Sequence, residues 1–205
     1  MRLSTRTMLA TALLITSVLI GACASDKPFL IIHYQLPSSS QALEGQKVSL
    51  TVTDARENKA FLGESAKKSL RTFNDTYSLV VLKADGSGNL LGIYNVDALI
   101  SEIFRQRLAN MGMQVTSSAE TADHELEIRL KDFKLDLAAR KWVVNMNYRA
   151  DLIKDGSVRA TETISGSAER LKLRKKNDAE KVLSELLTDM ANKLDLARLF
   201  QQAQR

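Results

Sequence analysis

The sequence predicts an α+β domain: a largely antiparallel, mixed sheet that includes a C-terminal three-stranded meander, with two helices packed on one face. Three observations carry that prediction. Residues 124–166 alternate apolar and polar side chains through three successive runs, the period of half-buried strands. Two stretches, from Asn95 to Met111 and from Asn177 to Leu194, repeat apolar residues at helical spacing. A shorter run, Val48 to Thr53, alternates again. Hydrophobic residues at 44% and charged residues at 26% fit a chain with an ordinary core.

The chain opens with a segment of different character. Met1 to Thr7 carries Arg2 and Arg6, and Met8 to Ala22 is mostly apolar and uncharged. A positive segment followed by an apolar run of this length reads as a secretory signal peptide. A spanning helix needs about 20 predominantly apolar residues, and Asp26 and Lys27 end the run first. Ile20-Gly21-Ala22-Cys23 resembles the bacterial lipobox, in which the cysteine thiol receives a diacylglyceryl group before cleavage and the new amino group is then acylated. Cys23 is the only cysteine, so no intramolecular disulfide can form. The expected organisation is a lipoprotein signal peptide over 1–22, a lipidated N-terminus and short tether over 23–28, and a single α+β periplasmic domain over 29–205. Two or three acyl chains, at about 0.8 kcal/mol per buried methylene, hold far more firmly than one. Ala24 and Ser25 follow the cysteine, and Asp26 stands beyond the position where aspartate favours inner-membrane retention in Gram-negative sorting. For a Gram-negative source the expected address is therefore the outer membrane, periplasmic face.

Pro28 and Pro37 bracket Phe29 to Leu36, a run of branched and aromatic residues that reads as an edge strand. After Val48 to Thr53, Asp54-Ala55-Arg56 has the chemistry of an Asx turn, with Arg56 available to a carboxylate. Residues 57–74 read as a loop with a turn at Phe61-Leu62-Gly63. Tyr77 to Leu82 and Leu90 to Tyr94 read as two strands joined by Asp85-Gly86-Ser87-Gly88-Asn89. Those glycines lack the spacing of a dinucleotide fingerprint, and no phosphate site is assigned. Asn95 or Asp97 caps the first helix and Gly112 ends it. Met113 to Thr116 is a short strand.

Leu126, Ile128 and Leu130 share one parity while Phe133, Leu135 and Leu137 have the other, so a β-bulge is expected at Lys131-Asp132. Trp142 to Leu152 alternates throughout, Asp155-Gly156 suits a tight hairpin turn, and Val158 to Gly166 completes the meander, weakened by Glu162. Asn177 with Glu180 resembles a capping pair at the start of the last helix.

His33 and His124 are the only histidines, and neither has a partner at ligand spacing. No zinc or EF-hand calcium pattern occurs, and no metal or cofactor is assigned. His124, near a strand start, is expected to be solvated. No nucleophile-elbow sequence appears, so the expectation is a non-enzymatic protein. Arg170, Lys172, Arg174, Lys175 and Lys176 form the densest basic stretch, a possible contact for an anionic partner such as a phosphorylated glycolipid, against the plainer reading of a solvated connection. Arg2 and Arg6 account for two of the five net positive charges, leaving a body at +3. That charge is too weak to argue for nucleic acid, and with aromatic residues at only 5% stacking on bases is not indicated.

With these elements placed, the chain resembles the YajG-type family of lipoproteins. The likeness rests on the lipobox, Val48-Ser49-Leu50-Thr51-Val52-Thr53-Asp54-Ala55-Arg56, Leu108-Ala109-Asn110-Met111-Gly112 and Leu186-Leu187-Thr188-Asp189-Met190-Ala191. The resemblance implies an envelope lipoprotein with no established catalytic function. The leading expectation is a binding or assembly factor held to the membrane by N-terminal acyl chains, with an envelope protein or glycolipid as partner. The alternative is an accessory lipoprotein of an ABC-type lipid transport system.

Overall fold

A computed structural model describes residues 29–70, 78–82, 88–93, 95–173 and 175–203. The expected signal peptide, Cys23 and its tether, the loop at 83–87 and Arg174 lie outside them.

The strands form two sheets. β1 (Phe29–Ile32), β3 (Ser78–Leu82) and β4 (Gly88–Ile93) make a small one in the order β1-β3-β4, with β1 and β3 parallel. The larger sheet has the order β5-β2-β6-β7-β8, built from β2 (Lys47–Asp54), β5 (Gln114–Thr116), β6 (His124–Ala138), β7 (Lys141–Lys154) and β8 (Ser157–Leu171). β2 runs parallel to both β5 and β6, whereas β6, β7 and β8 form the expected antiparallel meander. The fold class is thus α+β with mixed sheets, but the strands divide between two sheets rather than one.

Period-2 patterning gives the meander one dry face. Trp142, Val144, Met146, Tyr148, Ala150 and Leu152 of β7 are all buried. On β6 the register shifts between Leu130 and Asp132, as the parity slip predicts. The bulge keeps Phe133 and Leu135 on the core side together with Leu126, Ile128 and Leu130. Without it, an apolar pair would face water. Asp155 and Gly156 turn the second hairpin with positive φ at both residues (52° and 71°).

Among the described residues four α-helices, not two, accompany the sheets. α2 (Val96–Ala109) starts where expected: the Asn95 side chain accepts a hydrogen bond from the Ala98 amide, and Gly112 beyond its end has φ +85°. The last helical region is two helices, α3 (Lys175–Lys193) and α4 (Leu196–Ala203). α3 begins before Asn177, so the expected Asn177–Glu180 cap does not open it. Asp195 caps α4 by accepting from the Arg198 amide at 3.0 Å.

The remaining helix, α1 (Glu64–Leu70), occupies a stretch expected to be loop. Gly63 precedes it and has no side chain to cap with. Asp136 of β6 supplies the missing group: its carboxylate accepts from the Ala66 amide at 3.2 Å and the Leu137 amide at 2.8 Å. The same contact favours glycine at position 63, because a Cβ there would lie 2.0–2.3 Å from the Asp136 carboxylate and force it to move. Phe61 stacks at a tilt on Phe133 with ring centroids 5.0 Å apart, and Ala66 and Leu70 are buried beneath α1. Replacing Asp136 with Ala is expected to cost about 1 kcal/mol, the usual value of a lost cap. Gly63→Ala should cost about 1–3 kcal/mol through forced displacement. Urea unfolding measures both, and the double variant should be less than additive because one contact underlies both losses.

Candidate functional site

α3 lies between the two sheets and uses both of its faces. Ala179, Val182, Leu183, Leu186, Leu187, Met190 and Ala191 are buried, and the helix packs on β7 and β8. The Tyr148 hydroxyl, itself buried, donates to the Met190 carbonyl at 2.8 Å. The opposite face carries Glu180, Ser184, Thr188 and Asn192, four residues apart.

Those four side chains take the place of a neighbouring strand for β1 and its extension to Gln35. The Ile31 amide donates to Glu180 Oε1 at 2.9 Å, the His33 amide to Ser184 Oγ at 3.0 Å, and the Gln35 amide to Thr188 Oγ1 at 3.0 Å. Asn192 Nδ2 donates to the Gln35 carbonyl at 3.1 Å. The spacing explains the fit: alternate strand amides recur every ~6.6 Å, and every fourth helical residue rises ~6 Å. Ser184 and Thr188 also donate to the carbonyls of Glu180 and Ser184, at 2.7 and 2.8 Å. Each hydroxyl is therefore committed on both sides, and neither is free to act as a nucleophile.

This contact floors an open groove of about 790 Å³. His33 and Gln35 line one wall, and Asn177, Lys181, Ser184 and Thr188 the other. Its mixed donors and acceptors suit a polar ligand or a peptide segment. Glu185 and Asp189 on the same helix are neutralised, by Arg170 and by Lys193 at 2.7 Å. Sequence reasoning missed this site. Its one local signal is the polar repeat Glu180, Ser184, Thr188, Asn192, set apart from the apolar stripe of α3.

The basic stretch is only partly free. Arg170, near the end of β8, pairs with Glu185, and the Lys172 amide donates to the Arg140 carbonyl at 2.9 Å. That bond brings the exposed Arg140 to the basic connection, which the sequence did not suggest. Lys175 and Lys176 open α3, and nothing is described of their side chains. Among the described residues no group of three His, Cys, Asp or Glu side chains could hold a metal ion. No described helix is long and apolar enough to cross a membrane.

Two further sequence readings meet the structure here. Arg56 closes the Asx turn as expected: its amide, Nε and Nη2 all reach the Asp54 carboxylate, and Nη1 donates to the Phe133 carbonyl at 2.8 Å. The Arg56 hydrogen bond brings the Asp54 carboxyl down to about 2. His124, expected to be solvated, is buried at 8% exposure against Phe200 of α4, edge-on at 5.3 Å. The reading failed because α4 had not been placed. Burial lowers its pKa, with Lys154 adding to the effect, and neither ring nitrogen finds a partner among the described residues.

No protein-family model matches the chain, and no curated protein matches it. The resemblance to YajG-type lipoproteins therefore rests on the residues that suggest it. Among solved structures, the chain is similar to a Xanthomonas campestris protein of the DUF330 family, at 13% identity and a TM-score of 0.49, over 85% of this chain and 98% of that one. It is similar to rare lipoprotein B from Shewanella oneidensis at 13% identity, TM-score 0.39, over 76% and 92% of the two chains. A minor lipoprotein from Acinetobacter baumannii shares 9% identity, with a TM-score of 0.36, over 80% and 96%. Bacterial lipoproteins are thus among its structural neighbours.

Two outcomes follow from this geometry. Thr188→Val removes an acceptor while keeping the side chain's shape, and should cost about 0.5–1.5 kcal/mol in chemical denaturation. Stability should also fall on acidification. The unfolded chain takes up a proton near pH 6.5 whereas buried His124 resists it, so stability present above that pH is lost as pH falls toward the depressed folded value. His124→Phe should flatten that part of the stability profile between pH 7 and 5, as read by thermal melts.

Proposed function

We propose that this chain is a lipid-anchored envelope lipoprotein, on the outer membrane of a Gram-negative cell and facing the periplasm. It serves there as a non-enzymatic binding or assembly factor. The observation that carries the reading is the position of Cys23, the only cysteine, directly after Ile20-Gly21-Ala22 and six residues before β1. At about 3.5 Å per residue, such a tether reaches no more than about 20 Å. The first residue of the domain would stay that close to the acyl chains, and the groove beside β1 and α3 would lie near the membrane surface. Polar walls and committed hydroxyls support recognition rather than covalent chemistry at this groove. The partner class is an envelope protein or a membrane glycolipid presented within that reach.

Cys23→Ser tests the anchor. Its expected result is accumulation of the unprocessed precursor, loss of incorporated labelled palmitate, and release from the outer-membrane fraction. Normal processing with unchanged membrane fractionation would show that the lipid reading is wrong. A photo-crosslinker at His33 or Lys181 tests the groove. It should capture an envelope component that the same crosslinker at Lys131, on the bulge, does not.

A further inference from the structure

β8 is the outer strand of the larger sheet, and among the described residues no strand pairs with its far edge. Fifteen residues of open edge offer a template to another strand, and proteins usually blunt such edges with proline, lysine or brevity. The middle of β8 uses none of these devices. Thr163-Ile164-Ser165-Gly166-Ser167-Ala168 has neither charge nor proline. Val158 and Leu171 within β8, and Leu173 just beyond it, are large apolar side chains at 53%, 57% and 81% exposure.

We propose that this edge pairs antiparallel with the same edge of a second copy, joining the two larger sheets across a two-fold axis at Gly166. Charge complementarity at Glu162 and Arg170 argues for a second copy in this register. With the axis at Gly166, Ser165 stands opposite Ser167 of the second copy, Ile164 opposite Ala168, and Glu162 opposite Arg170. Within one copy Glu162 is held by Arg198 of α4 at 2.7 Å and Arg170 by Glu185 of α3. Each side of the axis then reads Arg198, Glu162, Arg170, Glu185, an alternation of sign with no like charges opposed. Moving the axis to Ser165 sets Glu162 against Ala168 and Arg170 against Ala160, and loses both pairs.

The layers agree with this register. Ala160, Ile164 and Gly166 face the helices: the first two are buried, and a Cβ at Gly166 would lie 2.6 Å from Met190 Sδ. Thr161, Thr163, Ser165 and Ser167 are exposed on the other side. Opposed residues in an antiparallel pair share a face, so the helices of both copies lie on one side and the hydroxyl-rich faces on the other.

The test is register-specific disulfide formation in the full-length protein. Two copies with different epitope tags are co-expressed, one carrying Ser165→Cys and the other Ser167→Cys, with Cys23 retained in both. Opposed residues lie about 4.5–5.5 Å apart at Cα, within reach of a disulfide. A reducible heterodimer is expected for this pair and not for Thr161→Cys with Ser167→Cys. Light scattering on the detergent-purified protein should give twice the chain mass. Ser165→Lys, which places two cations beside the axis, should return it to the chain mass while the protein still melts cooperatively, at a temperature no higher than that of the wild type. A chain-mass wild-type protein without the 165–167 disulfide overturns the proposal, as does equal yield from both cysteine pairs. Capture of a different envelope protein from position 165, by a wild type of chain mass, assigns the edge to that partner and overturns it too.

Discussion

The architecture depends on one helix being wanted on both sides. α3 buries an apolar stripe against β7 and β8 and turns a polar stripe toward β1. A short parallel edge strand such as β1 has few ladder hydrogen bonds of its own, and its outward amides would otherwise face a helix with no backbone donors or acceptors to spare. Glu180, Ser184 and Thr188 accept from those amides, and Asn192 closes the far end by donating to Gln35. The near match between two strand residues and four helical residues allows successive contacts without strain. Through this seam the small sheet shares one core with the large one, Leu30 and Ile32 being fully buried.

Long-range polar contacts of this kind recur. Asp136 caps α1 from another element, Arg56 ties the end of β2 to β6 through Phe133, and Asp151, itself fully buried, is held by Arg149 and Thr161 on the polar side of the meander. Each satisfies a group whose burial would be costly alone. The meander supplies the rigid frame and these contacts fix the smaller pieces to it.

What the sequence revealed follows the range of the interactions. The bulge at Lys131-Asp132, the Asx turn at Asp54, the Asn95 cap and the Gly112 stop are written in neighbouring residues, and all four are present. α1 was read as loop because its cap stands on β6, and no local window contains both Gly63 and Asp136. His124 was read as solvated because Phe200 comes from the far end of the chain. The split into two sheets also escaped notice, since β1 pairs with β3 across a long separation. At the site, Cys23 sits in a local motif and could be read directly. The groove needed α3 beside β1, partners some 149–157 residues apart.

In the proposed function a recognition surface stands at the start of the folded body. In the proposed arrangement the segment that leaves the membrane becomes β1 within a few residues, and β1 is one wall of the groove. A pull on the tether would then be borne by the strand–helix seam rather than by a flexible linker. The open edge of β8 is separate from this seam, although Glu185, which lines the groove and pairs with Arg170 of β8, stands between the two. The most direct measurement of the central claim is native-state hydrogen exchange at single-amide resolution. The Ile31, His33 and Gln35 amides should be protected and exchange in step with the α3 backbone, as one cooperative unit. Exchange of those three amides at the rate of an unstructured segment, with α3 still protected, would contradict it.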